Sequence, residues 1–164
     1  MLVVVMLLAV AATAIVPRMS RSIGQRGLVE AAYRLERTAR TVHELAISRR
    51  QECAVDLDLD AKAYGVAMAS GKGEVTAVRA SWLKQERLPE GVRFGRVQFT
   101  DGREMTGGTQ RIWFHPDGTS SGAIIQLVTQ DGQYLVAINP HNGRVTAGPG
   151  EEEIKTTEQV DLGD

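Results

Sequence analysis

One cysteine, Cys53, stands in 164 residues. No disulfide can close within the chain, which excludes the stapled frameworks of small secreted domains, and Cys53 reads as a small buried thiol. Charge of either sign is not in excess. Lys and Arg total 19 against 20 Asp and Glu, a formal net charge of -1, so no global basic field points to nucleic acid. Histidine is scarce too, and no two of His43, His115 and His141 have the spacing of zinc ligands. Asp56, Asp58 and Asp60 open like a calcium loop, but Ala61 and Ala67 occupy the places that require Gly and Glu, and the three aspartates read as the wet face of a strand. The glycine-rich pieces Ser70-Gly71-Lys72-Gly73 and Thr106-Gly107-Gly108-Thr109 lack the spacing of a phosphate loop and read as hairpin turns. Ser120 and Ser121, near His115 and Asp117, offer only a superficial Ser/His/Asp set, because a triad is a matter of geometry. No enzyme, catalytic residue, metal or cofactor is expected.

What the chain has in plenty is apolar residues at its start. Met1–Val16 holds no charge, Gly or Pro. As a helix it would span roughly 24 Å at about 1.5 Å per residue, short of the ~30 Å hydrocarbon core. No basic residue precedes it as in a signal peptide, although Ala12-Thr13-Ala14 satisfies the small-x-small cleavage rule. Burying sixteen such residues as a core helix would need apolar cover on all sides, more than one small domain supplies.

More helix follows. Leu28, Ala32, Leu35, Ala39, Val42 and Ala46 recur at spacings of four and three, an apolar stripe, and Ile47 extends the packing face. Arg34, Glu36, Arg37, Arg40 and Glu44 take the other sides, with Glu36 and Arg40 placed as an i,i+4 pair. Pro17 removes one helix hydrogen bond and should kink the helix rather than end it. The expectation is one long, bent helix from Met1 to about Gln51, its first third in lipid and its last third on a globular domain. The arginines after Pro17 read as a solvated flank outside the hydrocarbon. Taken alone, the positive-inside rule would put that flank in the cytoplasm.

From Cys53 the period becomes two. Val55, Leu57 and Leu59 alternate with aspartates, a strand with one buried and one wet face. Further strands are expected over Tyr64–Ala69, Glu74–Arg79, Val92–Phe99, Arg111–Phe114, Gly122–Thr129, Gln133–Ile138 and Arg144–Ala147. Asp101-Gly102, Asp117-Gly118, Asp131-Gly132 and Asn142-Gly143 supply turns. Short strands with tight turns and no βαβ alternation make an antiparallel sheet or sandwich. The expected class is α+β, with a helical spine over residues 1–51 (transmembrane segment 1–16), a β-sandwich-like domain over 52–149 and an acidic polar tail over 150–164.

Together these pieces resemble the type IV pilin-like family, most closely the H-type minor pseudopilins of bacterial type II secretion. An apolar N-terminal run closed by Pro17 leads through an amphipathic helix into a β-domain. The segment from Ile112 to Gly122, with Phe114, Pro116, Asp117, Gly118 and Gly122, resembles that family's phenylalanine, proline-aspartate-glycine, small-residue, glycine pattern. The resemblance implies a structural subunit that helps to initiate or cap a periplasmic pseudopilus. Its partners would be other major and minor pseudopilins and the inner-membrane secretion platform. It further implies a single-pass inner-membrane protein with a periplasmic β-domain, and a prepilin peptidase acting on a basic leader ahead of a Phe-Thr-Leu-x-Glu segment. No such leader precedes Met1 in this sequence, so Met1 is expected to be an internal methionine or the chain to be truncated. The leader's charges would hold the opposite end inside and account for the arginines. Two alternatives stay open: a type IV pilus minor pilin serving pilus assembly or DNA uptake, which the acidic tail disfavours, and a secreted β-sandwich binding module cleaved after Ala14.

Overall fold

The computed structural model describes residues 2–69, 75–77 and 85–150, with side chains for 25–69 and 85–150. A single helix, α1 (Leu2–Arg49), runs unbroken through Pro17. The expected anchor Met1–Val16 and the packing around Pro17 concern side chains outside the described residues. Among the described residues no helix is long and apolar enough to cross a membrane.

The helix stops without a glycine. Arg50 takes φ 53°, its N–H donates to Ile47 O at 3.3 Å, and the N–H of Gln51 reaches Ala46 O at 3.2 Å. These two bonds satisfy the last carbonyls in the manner of a Schellman cap.

Ten strands follow: β1 (Cys53–Asp58), β2 (Ala63–Ala69), β3 (Val75–Ala77), β4 (Glu86–Arg87), β5 (Arg93–Phe99), β6 (Glu104–Met105), β7 (Thr109–Phe114), β8 (Ala123–Val128), β9 (Gln133–Ile138) and β10 (Val145–Pro149). They form two antiparallel sheets. The first has the order β3-β2-β1-β7 with β4 also on β2, and the second the order β10-β9-β8-β5-β6. The chain crosses between them from β4 to β5, from β6 to β7 and from β7 to β8. Helix α1 lies against β9, β10 and β8 of the second sheet and β1 and β7 of the first, so helix and sheets close on one core. Its largest fully buried side chains are Phe114, Leu35, Leu57, Ile112, Ile125 and Leu127. The expected class, a helix followed by an antiparallel β-domain, is what the chain adopts.

Three features depart from the sequence reading. Thr106-Gly107-Gly108-Thr109 is no hairpin turn: it carries the chain from β6 in the second sheet to β7 in the first. Gly108 takes φ 71° there, while its N–H donates to Asp60 Oδ2 at 3.0 Å. The side of β1 opposite the core is not simply wet. Ala54 and Ala67 pair across it and are fully buried, and Gln85 packs over Gly65, 3.8 Å from where a Cβ would stand. Finally, β4 and β6 are exposed two-residue strands, too short to show a period. Strand expectations that fall on residues 70–74 and 78–84, and the tail from 151, lie outside the described residues.

Candidate assembly site

The helix stripe is consumed inside the chain. Leu28, Ala32, Leu35, Ala39, Val42 and Ala46 are all buried, none more than 3% exposed. Three of the six are alanines, which let the helix backbone approach the sheets closely. Ile47 follows Ala46 and is turned about 100° away around the helix. It is 43% exposed and does not share the buried stripe.

Polar bonds fix the helix at two more points. The Arg40 guanidinium donates to Val145 O at 3.1 and 3.3 Å and is paired with Glu36 at 2.6 Å. One turn on, His43 Nε2 donates to Gly118 O at 2.9 Å, its ring tilted against that of Phe114 with centroids 5.8 Å apart. Gly143 makes room for this ring. It takes φ 61°, and a Cβ there would lie 2.8 Å from Gly118 O and collide with the imidazole. The helix, the turn after β7 and the turn before β10 thus meet at one histidine.

The segment after β7 holds the two sheets together. His115, Pro116, Asp117 and Gly118 form a tight turn in which Gly118 N–H returns to His115 O at 3.0 Å. Proline suits its second place and a glycine at φ 88° its end. The Asp117 carboxylate accepts from Thr119 Oγ1 at 2.7 Å and Thr119 N–H at 2.9 Å, bonds that hold it below the usual aspartate range. Ser120 bridges back to Phe114, its Oγ donating to Asn139 O at 3.0 Å and its N–H to Pro140 O at 2.9 Å. Ser121 Oγ accepts from Trp113 N–H at 3.0 Å, and Thr100 Oγ1 donates to Ser121 O at 2.9 Å. Gly122, at φ 64°, turns the chain into β8 where a Cβ would meet Thr100 Cγ2 at 2.8 Å and Pro140 Cβ at 2.9 Å. Each of Phe114, Pro116, Asp117, Gly118 and Gly122 therefore occupies an architectural position at the junction of helix and sheets. Exposed Ile47 stands beside it, its Cδ1 3.8 Å from the place of a Gly118 Cβ.

Sequence reasoning passes over one match in this segment: Gly118-Thr119-Ser120-Ser121-Gly122 has the G-x-S-x-G spacing of a nucleophile elbow. Such an elbow presents its serine at a strand-to-helix turn. Here the residues join two strands, and Ser120 is 7% exposed with its hydroxyl on a backbone carbonyl. The His115 ring is engaged elsewhere, its Nδ1 3.0 Å from Glu52 Oε1.

The remaining candidates are similarly engaged. Asp56 holds Arg111 through bonds of 2.5 and 2.7 Å, which raise the guanidinium pKa. Arg111 also lies 5.4 Å over the Trp113 ring. Asp58 accepts from Ala61 N–H at 2.8 Å, and Asp60 accepts from Gly108. No group of three metal-ligating side chains gathers among the described residues. Cys53 is fully buried, and burial pushes its thiol pKa up, away from the thiolate that reactivity requires.

No protein-family model and no curated protein matches the chain. Solved structures do. The minor pseudopilin EpsH from the Type 2 Secretion System of Vibrio cholerae aligns with a TM-score of 0.65 at 16% identity, covering 77% of this chain and 99% of that one. The type IV minor pilin FimU of Pseudomonas aeruginosa aligns with a TM-score of 0.55 at 15% identity, covering 78% and 92%. At such identities the likeness is one of fold: the chain shares the pilin-like fold of these two structures.

Proposed function

We propose that the protein is a minor pseudopilin of the H type, a structural subunit that helps to initiate or cap the periplasmic pseudopilus of a bacterial type II secretion system. The observation that carries this reading is the likeness to EpsH, which embraces 99% of that chain with a TM-score of 0.65. The Phe114–Gly122 segment supports it. The function is assembly rather than chemistry: α1 is gripped by the β-domain along its last third, and the apolar run at its start serves in lipid or against the helices of neighbouring subunits. The chain sits in the inner membrane with its β-domain in the periplasm, among other major and minor pseudopilins and on the secretion platform. Prepilin peptidase is its processing partner. The likeness to FimU favours a second reading, a type IV pilus minor pilin. Deleting the gene in its host separates the two. Loss of protein export with surface pili unchanged supports the secretion reading, loss of pili with export unchanged supports the pilus reading, and a strain normal in both contradicts each.

A further inference from the structure

A groove of about 620 Å³ opens between α1 and the β9–β10 end of the second sheet. Leu28 and Val29 wall it on the helix, with Gly132, Tyr134 and Pro149 on the sheet, and Arg26 stands on its rim. The walls are mostly apolar and the groove opens to solvent. Glu30, also on the rim, is held by Arg34 at 2.6 Å. Arg26 is exposed and has no carboxylate partner among the described residues.

The chain leaves the second sheet at this groove. Gly150 N–H donates to Gln133 O at 3.2 Å and Gly150 O accepts from Gln133 Nε2 at 2.6 Å, one residue beyond Pro149. The sequence then reads Glu151-Glu152-Glu153-Ile154: negative charge to meet Arg26 and a branched aliphatic to cover an apolar floor. Four extended residues reach about 13 Å, and Pro149, the residue before Gly150, lines the same groove as Arg26. We propose that the groove is the docking site of the chain's own acidic C-terminal segment, residues 151–164, with Ile154 on the apolar floor and the glutamates against Arg26. Tethering supplies an effective concentration in the millimolar range, so weak contacts suffice to keep the groove covered. Arg26–carboxylate attraction at the surface makes the cover salt-sensitive. The segment is thus a built-in competitor for any partner that uses this face of the helix. The inference is independent of the choice between secretion and pilus function.

Disulfide trapping in the full-length chain tests it. Val29→Cys is paired with Ile154→Cys, and fully buried Cys53 does not compete. At low micromolar protein under mild oxidation, the expected product is an internal disulfide within a monomer, formed several-fold more slowly when Arg26→Glu is added. Absence of a cross-link in a chain with a wild-type melting curve overturns the proposal. So does a disulfide-linked dimer, which would mean that the groove takes the tail of a second copy. An Arg26→Glu rate equal to the parent's overturns the charge contact. Gln25→Cys with Glu152→Cys gives the same readout should Val29→Cys disturb the fold.

Discussion

A histidine inserted between two glycines stitches this molecule together. His43 bonds Gly118 O and fills space that any side chain at residue 143 would claim. Gly143→Ala forces a Cβ into both obstacles at φ 61°, and a loss of about 2 kcal/mol or more is expected in denaturant titration. Combining it with His43→Ala removes one obstacle, so the double variant should lose less than the two single losses added together. Asp117 gives a pH signature. Its folded pKa is lowered, chiefly by bonds from Thr119, so its contribution is present above the ordinary aspartate pKa near about 3.9 and is lost as pH falls through the folded value. Asp117→Asn should flatten the acid side of a plot of Tm against pH and leave the neutral region nearly unchanged. A parallel acid limb in both proteins would contradict this. These contacts were hidden in the sequence. The D-G and N-G pairs announced turns, but nothing in one dimension says that two turns 25 residues apart share one helical histidine.

At the scale of elements, periodicity was the strongest guide. The four-and-three stripe from Leu28 to Ala46 is buried throughout, and the strands of five or more residues stand within a few residues of their expected bounds. Short strands and inter-sheet crossings were illegible because two residues carry no period and a Gly-Gly pair does not say which strand it serves. The helix cap was illegible for a different reason: Arg50 occupies a left-handed position that glycine usually fills. Arg50→Gly should therefore raise stability by about 1 kcal/mol, seen as a higher melting temperature, whereas Arg50→Val should lower it. Leu35, fully buried beneath both sheets, gives the opposite test. Leu35→Asp leaves an unpaired charge in the core and should abolish cooperative unfolding, while exposed Ile47→Asp should preserve it.

For the whole molecule, α1 is a core element of the domain and its longest element. Among the described residues, the helix packs on the sheets from Leu28 to Ala46. The helix backbone continues to Leu2, and the sequence places the apolar run Met1–Val16 at that end. The fold class was legible because it rests on local residue patterns. The site was legible only in part, since its members come from α1, the β7–β8 link and the β9–β10 turn. The account depends on the apolar run staying attached to the working protein. Mass spectrometry of the N-terminus of the protein isolated from its host tests this most directly: the account predicts a membrane-associated polypeptide that retains Met1–Val16, and a soluble species beginning at Ile15 would contradict it.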